Sequence, residues 1–323
     1  MGKVRTVLGD IDSETLGVTN MHDHLLISAG VGVMKEPDIH LDSVDKACQE
    51  LELFKAAGGR AVVDMMPVAT GRDAPGLVEV SRRTGVHIVA CSGFHQVQYY
   101  TPDHWVYTYP LDAIVDLFIA DVTVGMDRYD YRGPIVERIS AKAGVLKAAT
   151  EYHTVPAKTE RLFEAVAMAH LATGVPISTH TTYGTMALEQ VELFVKYGVD
   201  PSAVIIGHLD RNMDFAYHKA VAETGAMVLY DGPSRVKYYP DSALVELICR
   251  MVDAGFGGQI VLGNDLARRS YRVSYGGGPG MGYLLNTFVP RLRAAGLGED
   301  DIHRIFVANP SKALSLREVK LHG

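Results

Sequence analysis

Apolar runs and amphipathic stretches alternate along the whole chain. Eight short runs are apolar and mostly β-branched at their start, and each turns polar at its end. Near-continuous apolar strands of this kind are typical of a parallel sheet that is covered on both faces. In chain order the runs are GVTNMHDHLLI, GRAVVDMMP, VHIVACSGF, AGVLKAAT, VPISTHT, AVIIGHLD, AMVLYDG and QIVLGNDL.

Helical patterns lie between these runs. One segment opens at Thr159, carries an apolar stripe at helical spacing and ends at Gly174, and another repeats that design from Asp241 to Gly255. Two further segments have the same character, TMALEQVELFVKYG and MGYLLNTFVPRLRAAG. Eight strand–helix alternations without a low-complexity linker predict a single (β/α)8 TIM barrel domain over residues 1–323, in the α/β class.

The composition excludes several classes of protein. The chain has 323 residues, of which 47% are hydrophobic and 21% charged, and a net charge of −7 without runs of like charge. These values disfavour a nucleic-acid or anionic-membrane partner. Three widely spaced cysteines favour reduced thiols over a disulfide framework. The N-terminus lacks the apolar core of a signal peptide, and no membrane span is apparent, so the sequence predicts a cytoplasmic protein.

Residues with metal-binding chemistry stand where the predicted strands end. In TNMHDHLLI, His22 and His24 are one residue apart, so their side chains share one face of the strand. The strands of a barrel present their C-terminal ends at one mouth, which is where active sites of this fold lie. We therefore expect these histidines to converge with the polar residues that end other strands, namely Lys147, His180, His208 and Asp265.

Each of these residues has an ordinary structural explanation when it is taken alone. A single HxH is a weak signal, and Asp265 in GND could simply cap the next helix. Together, however, four imidazoles and a carboxylate would repel one another or remain unsatisfied without a cation between them. Neutral imidazole and carboxylate are the ligands that Zn²⁺ and similar ions prefer. The cluster therefore predicts a divalent metal site.

The number of candidate ligands favours two ions, since one tetrahedral ion would leave several unused. Two ions about 3.5–4 Å apart can share a hydroxide whose parent water has its pKa lowered to about 7. Asp265 would then be both a metal ligand and the base that accepts a proton from this nucleophile.

Lys147 does not fit this set as an ammonium group. A cation that is buried after an apolar run and lies beside two metal ions is costly. It could instead pair with Glu151, or act as a Schiff-base nucleophile with a lowered pKa. It could also react with CO₂ and bridge the two ions as an anionic carbamate. The residues alone leave these three interpretations open.

Five motifs carry a resemblance to a known family. NMHDH, GVLKAAT, STHT, IIGHLD and GND occur in this order and at barrel spacing, and they resemble the motifs of the phosphotriesterase-like family of the amidohydrolase superfamily. The resemblance covers nearly the whole chain, from about Gly17 to NPSKAL. It implies a hydrolase with two divalent metal ions, usually Zn²⁺, and a carbamylated Lys147 (N6-carboxylated lysine) that bridges them.

The resemblance also implies how the remaining ligands are divided. His22, His24 and Asp265 would bind the more buried ion. His180 and His208 would bind the more exposed ion. The HxH motif therefore resembles a ligand pair.

The loops after the seventh and eighth strands are rich in basic residues although the protein is acidic. Barrels often bind phosphate at these loops, and Arg and Lys supply suitable charges. Lys237, Arg268 and Tyr271 resemble the phosphate-binding set of the subgroup that hydrolyses phosphorylated sugar lactones. The other arginines of these loops are expected to form a solvated rim, namely Arg235, Arg269 and Arg272.

Three further features bear on the substrate. His95 stands where many acyl-homoserine lactonases of the family carry a tyrosine, which disfavours such a substrate; His95 could contact sugar hydroxyls. Arg72, which follows the second strand, is another candidate substrate contact. The segment YGGGPGMG lacks the GxGxxG spacing of a dinucleotide site and is expected to be a mobile flap.

These observations favour a metal-dependent lactonase that opens a phosphorylated sugar lactone, such as a 5-phospho-aldono-1,4-lactone. Within the same family, a phosphotriesterase or an acyl-homoserine or aliphatic lactonase is the alternative. A Schiff-base lyase that uses Lys147 and a binding protein that has lost turnover are further alternatives. The substrate would be a small molecule, and the family resemblance is compatible with a homodimer.

Overall fold

The structure, a computed structural model, describes residues 2–319. Its strands form one eight-stranded parallel sheet and one short antiparallel hairpin. In chain order they are β1 (Lys3–Thr6), β2 (Gly9–Asp12), β3 (Thr19–Asp23), β4 (Ala61–Asp64), β5 (His87–Gly93), β6 (Val145–Ala149), β7 (Ile177–His180), β8 (Val204–Gly207), β9 (Met227–Tyr230) and β10 (Ile260–Leu262).

Strands β3 to β10 lie side by side in the order of the chain. The segment after β10 joins β3, because the amides of Asn264 and Asp265 donate to the carbonyl oxygen of His22 at 3.1 and 2.9 Å. The sheet is thereby nearly closed, and helices surround it. This arrangement confirms the predicted (β/α)8 barrel.

The helices follow the predicted apolar stripes. The segment predicted from Thr159 is helical, and Gly174 ends it in a left-handed conformation with φ 73°. The helices of the described chain are α1 (Val31–Lys35), α2 (Val44–Ala56), α3 (Ala74–Thr84), α4 (Trp105–Thr108), α5 (Leu111–Thr123), α6 (Ala157–Thr173), α7 (Ala187–Lys196), α8 (Phe215–Glu223), α9 (Asp241–Asp253), α10 (Val289–Ala294), α11 (Glu299–His303) and α12 (Asn309–Leu314). None of the helices between residues 2 and 319 is long and apolar enough to cross a membrane.

Alternation along the strands divides the apolar residues into two clusters. Val63, Val89 and Val145 point into the barrel and pack together there. Their neighbours in sequence, such as Val62, belong to the larger cluster between the sheet and the helices. Because side chains alternate, Lys147 points to the same side as Val145, two residues nearer the C-terminal end of β6. The strand period therefore carries a lysine into the barrel.

The antiparallel hairpin β1–β2 closes the N-terminal end of the barrel. Val4 and Leu16 join the interior cluster together with Leu314 of α12. The amide of Leu316 donates to the carbonyl oxygen of Lys3 at 2.7 Å, which fastens the hairpin to the C-terminal segment. The strand-end side chains lie at the opposite end of the barrel.

Arg72 belongs to a buried ion-pair network and is 1% exposed. Its Nη1 atom donates to Oδ2 of Asp121 in α5 and to the carbonyl oxygen of Cys91, both at 2.9 Å. Asp121 in turn accepts a hydrogen bond from the hydroxyl of Tyr131. The expectation that Arg72 contacts substrate is wrong, because the guanidinium of Arg72 pairs with the buried carboxylate of Asp121 and does not line the mouth of the barrel.

The glycine-rich segment YGGGPGMG is fastened to α2. The carboxylate of Glu50, which is buried, accepts from the amides of Ser274 and Met281 at 2.7 and 2.9 Å. The amide of Gly280 donates to the carbonyl oxygen of Tyr271 at 2.9 Å. These contacts fasten the segment to α2 and to its own loop in this structure, and its role as a mobile flap stays a prediction.

Candidate metal centre

A cavity of about 290 Å³, the polar cavity, opens at the C-terminal ends of the strands. This is the end of the barrel at which active sites of the fold lie. The predicted site residues that line it are His24, His95, Lys147, His180, His208, Lys237, Asp265, Arg268 and Tyr271. His22 is fully buried and lies against His24 and Asp265.

Four imidazole rings form a row at the base of the polar cavity. The ring centroid of His22 lies 5.4 Å from that of His24 and 4.7 Å from that of His208. His180 follows at 4.3 Å from His208. Burial lowers the pKa of His24 to about 3 and that of His208 to about 4, and it lowers the pKa of His180 well below its ordinary value. The rings of His24, His180 and His208 are therefore neutral, which is the form that binds metal ions.

Two predicted ligands follow their strands in an unusual backbone conformation. His208 has φ 59° and Asp265 has φ 47°, both in the left-handed region. Such a conformation costs on the order of 1–3 kcal/mol in residues other than glycine, and it occurs preferentially at functional sites. It turns each side chain from the strand end towards the polar cavity.

The Asp265 carboxylate lies among the imidazoles. Its Oδ1 atom is 3.4 Å from Nε2 of His24 and 3.7 Å from Nε2 of His22. Burial alone would raise the pKa of Asp265, but the charge of Arg235 and the hydrogen bond with His24 hold it well below its usual range. His22, His24 and Asp265 thus offer three ligand atoms within 4.8 Å of one another.

A second group of potential ligand atoms lies on His22, His208 and Asp231. The sequence pattern led to the two histidines but not to Asp231. Its Oδ1 atom is 2.7 Å from Nδ1 of His208, and its Oδ2 atom is 3.2 Å from Nδ1 of His22. Burial would raise the pKa of Asp231, but the charge and hydrogen bond of His208 lower it. The signal was present in the sequence, because Asp231 ends the run AMVLYDG just as the other candidates end theirs.

These residues fit a metal ion by a direct structural criterion. Nε2 of His22 and Nδ1 of His24 are buried and have no hydrogen-bond partner within the described chain. A buried polar atom that remains unpaired costs free energy. Neutral imidazole nitrogens beside an ionised carboxylate are the donor set that Zn²⁺ and related ions take, so a divalent ion would satisfy them.

Two arginines contact Oδ2 of Asp265, the carboxylate oxygen that does not face His24. Nη2 of Arg211 lies 2.8 Å from Oδ2 of Asp265, and Nη2 of Arg235 lies 3.2 Å from the same atom. Arg235 is only 7% exposed. Its expected place in a solvated rim is therefore wrong, because its charge compensates a buried carboxylate. Sequence reasoning did not single out Arg211.

Arg272 also departs from the expected rim, since it is 2% exposed. Its Nε atom donates to the carbonyl oxygen of Leu266 at 2.9 Å, and its guanidinium pairs with the buried carboxylate of Asp23. Arg269, in contrast, is partly exposed and pairs with Asp42 at 2.8 Å. Of the three arginines expected at the rim, Arg269 lies there.

Lys147 is fully buried, and its Nζ atom donates to the carbonyl oxygen of Met65 at 2.7 Å. Burial lowers the pKa of the Lys147 ammonium group. Among the described residues it makes no ion pair with Glu151, whose carboxylate accepts from the amide of Val97 at 2.8 Å. The ion-pair interpretation is therefore disfavoured, and the environment favours the neutral amine.

His95 lies in the wall of the polar cavity. Its ring stacks on that of Tyr99 with 4.1 Å between centroids, and its Nδ1 atom accepts from the amide of Gln96 at 2.8 Å. Burial lowers the pKa of His95 well below its ordinary value, so the ring is neutral and carries its proton on Nε2. His95 is thus a hydrogen-bond donor at the wall.

Three cations surround Tyr271 on one side of the polar cavity. Cζ of Arg235 lies 4.7 Å from the Tyr271 ring centroid, and Nζ of Lys237 and Cζ of Arg268 each lie 5.9 Å from it. The guanidinium of Arg268 also pairs with Glu36. The three residues of the predicted phosphate set therefore lie together.

The sequence profile of the Phosphotriesterase family matches residues 2–314, which include this cluster. The chain belongs to the phosphotriesterase family. Family members depend on a binuclear metal centre, and the His and Asp side chains grouped here could bind metal. The resemblance stated from the motifs is confirmed.

Individual members of the phosphotriesterase family agree with this assignment. A relative from Mycoplasmopsis synoviae (strain 53), described as a phospho-furanose lactonase, is 37% identical, and the match covers 97% of this chain and 92% of the relative. The crystal structure of the lactonase Lmo2620 from Listeria monocytogenes superposes with a TM-score of 0.91 and 32% identity, and covers 98% of this chain and 100% of that one. The phosphotriesterase homology protein from Escherichia coli, solved with phosphate in its active site, superposes with a TM-score of 0.85 and 32% identity. The match covers 93% of this chain and 99% of that one.

In this family member, replacing Asp231 by Asn is expected to weaken Zn²⁺ binding ten- to a hundredfold, as is usual for partners of metal-binding histidines. An amide has a single acceptor oxygen, so His22 or His208 would lose the carboxylate oxygen that orients its ring. Competition with a chromophoric chelator measures the affinity. Asp241→Asn is the matched control, because Asp241 is equally buried but contacts Ser234 and Tyr283 instead. Equal zinc affinity of Asp231→Asn and wild type would contradict the orienting role.

Proposed function

We propose that this chain is a metal-dependent lactonase that opens a phosphorylated sugar lactone, such as a 5-phospho-aldono-1,4-lactone. The observation that carries the proposal is the joint position of two groups in the polar cavity. Neutral imidazoles and an ionised carboxylate lie at its base, and Lys237, Arg268 and Tyr271 lie on one side. The lactone would face the first group, and the phosphate would face the second.

The metal ligands in this proposal come from six residues. When bound, two divalent ions, which we propose to be Zn²⁺, would polarise the lactone carbonyl and lower the pKa of water to about 7. Lys147 would serve as a carbamate, because burial lowers the pKa of its ammonium group and so favours the neutral amine that reacts with CO₂. The proposed ligands are His22, His24 and Asp265 for one ion, His180 and His208 for the other, and Lys147 for both.

Asp265 would move the proton. Arg211 and Arg235 hold its Oδ2 atom, while its Oδ1 atom faces His24 at the base of the polar cavity. Oδ1 would accept a proton from the attacking water as the water oxygen bonds to the carbonyl carbon. When the ring C–O bond breaks, the same proton would pass to the leaving alkoxide. Asp265 would thus end the reaction unprotonated, and one water would be added across the ester.

The charges around Tyr271 would select the substrate. A phosphate dianion gains charge-assisted hydrogen bonds from Lys237 and Arg268, whereas a neutral phosphotriester gains little from them. The Nε2–H group of His95 could donate to a sugar hydroxyl. The name of the Mycoplasmopsis synoviae relative and the phosphate in the Escherichia coli structure support this substrate class.

The test compares a five-carbon aldonolactone with and without its 5-phosphate, using zinc-loaded enzyme. We expect the phosphate to raise kcat/KM at least a hundredfold, which corresponds to about 2.7 kcal/mol of transition-state binding. Equal rates for the two lactones would contradict the phosphate-binding role and leave a lactonase of another specificity. If neither lactone reacts, the lactonase proposal fails.

Replacing Lys237 by Ala is expected to lower kcat/KM for the phosphorylated lactone about ten- to a hundredfold, since a hydrogen bond to a charged group contributes about 1.5–3 kcal/mol. The rate for the plain lactone should be unchanged. Lys219→Ala is the control, because Lys219 is also an exposed lysine but pairs with Glu223 on α8. A parallel loss for both lactones would show that Lys237 acts on the fold or on the metal centre and not on the phosphate.

A further inference from the structure

An apolar recess of about 580 Å³ lies beside the polar cavity. Its lining includes Val31, Val33, Ala69 and Trp105. In the described part of the chain, Tyr99 is the one residue that lines both the apolar recess and the polar cavity. The two spaces therefore meet at a single side chain.

Tyr99 is held from both sides. One face of its ring stacks on His95, with 4.1 Å between the ring centroids. Another part of the ring packs against Gly32, where an added Cβ atom would lie only 2.8 Å from Cδ1 of Tyr99. Gly32 thus provides the space that the ring occupies, and the ring is fixed in place as a wall.

The two spaces differ in the substrates they suit. The polar cavity is lined by charged and amide side chains such as Gln96, Arg211 and Lys237. An alkyl chain placed there would remove water from these groups without giving them a hydrogen-bond partner. In the apolar recess the same chain would bury apolar surface against Val33 and Trp105, which is favourable.

We infer that Tyr99 is a specificity-determining residue, whose ring closes the apolar recess to the substrate and thereby excludes lactones with an alkyl tail. The inference rests on the proposed lactonase function. Burial raises the pKa of Tyr99 to about 12, and the charges of Asp265 and Glu36 act in the same direction, so its hydroxyl is protonated at neutral pH.

The experiment measures the ratio of kcat/KM for γ-nonalactone to that for γ-butyrolactone, with zinc-loaded enzyme. Replacing Tyr99 by Ala should raise this ratio at least tenfold, because the alkyl tail gains access to the apolar recess. Tyr99→Phe keeps the ring and should leave the ratio unchanged. Tyr183→Ala is the matched control, because Tyr183 lines the polar cavity but not the apolar recess. It should also leave the ratio unchanged.

A second variant tests where the tail lies. Adding Val33→Phe to Tyr99→Ala refills the apolar recess and should cancel the gain for γ-nonalactone. If Tyr99→Ala does not fold, as judged by thermal unfolding, Tyr99→Leu opens a smaller gap and is held to the same criterion. A folded variant with the wild-type ratio overturns the inference and leaves the lactonase proposal intact. If the wild type hydrolyses no lactone, phosphorylated or plain, both fall.

Discussion

Replacing Asp265 by Asn is expected to lower kcat/KM for the phosphorylated lactone about a thousandfold, within the range found for general acid–base groups. Asp265 is a buried carboxylate whose pKa lies well below its usual range, so it is ionised and ready to accept a proton. An amide of the same shape cannot accept that proton. Steady-state hydrolysis at saturating Zn²⁺, with the metal content determined for each preparation, measures the loss.

The control for this prediction is Asp42→Asn. Asp42 also pairs with an arginine, Arg269, but lies at the rim and does not line the polar cavity. Its replacement should leave the rate of hydrolysis near that of the wild type. An Asp265→Asn enzyme that binds its full complement of zinc and keeps its activity within tenfold would contradict the role of Asp265 as the base.

Replacing Arg72 by Met is expected to lower the free energy of unfolding by about 3–5 kcal/mol, the usual cost of removing one partner of a buried ion pair. The variant would leave buried Asp121 with the partly exposed Arg138 as its remaining countercharge, and would remove the guanidinium that lies 3.7 Å from Asp130. Ser92, which donates to Asp121 at 2.8 Å, cannot replace that charge. Urea denaturation followed by circular dichroism measures the change.

The matched control is Arg83→Met, which breaks an ion pair of similar length, 2.8 Å to Asp45, on the exposed surface. Exposed pairs contribute little, so this variant should unfold almost as the wild type does. The Arg72→Met enzyme should still hydrolyse the lactone below its unfolding transition, because Arg72 does not line the polar cavity. A loss of stability no larger than that of Arg83→Met would contradict the role of the buried network.

The barrel and the base of the site could be predicted because both depend on local pattern. The run VHIVACSGF is apolar over the length of one strand, and β5 spans His87–Gly93 as a consequence. The polar residue at the end of a run then reaches the mouth by the geometry of the fold alone. Lys147 and His180 were found in this way, without knowledge of their partners.

The arginines could not be placed in this way, because their positions depend on partners far away in sequence. Arg235 and Arg272 stand in polar loops, and such loops are usually solvated. In the structure each compensates a buried carboxylate, Asp265 and Asp23 respectively. The pattern of a loop does not show which carboxylate on another element will lack a countercharge.

The hairpin β1–β2 was missed for a related reason. Its strands, KVRT and GDID, carry charges and no apolar run. The residue that fixes it is Val4, which is fully buried in the interior cluster of the barrel. A single apolar side chain in a polar segment shows no periodicity. The sequence pattern therefore does not reveal that Val4 packs into the barrel interior, which only the complete barrel provides.

The hairpin β1–β2 is synthesised early, but its packing partners are synthesised late. Lys3 and Leu316 come from opposite ends of the described chain, and their hydrogen bond forms only after α12 has left the ribosome. Until then Val4 and Leu16 lack Leu314, their partner in the interior cluster. The N-terminal end of the nascent barrel therefore stays open until Leu314 and Leu316 have been synthesised, and until then its apolar interior is accessible there to chaperones and to other unfinished chains.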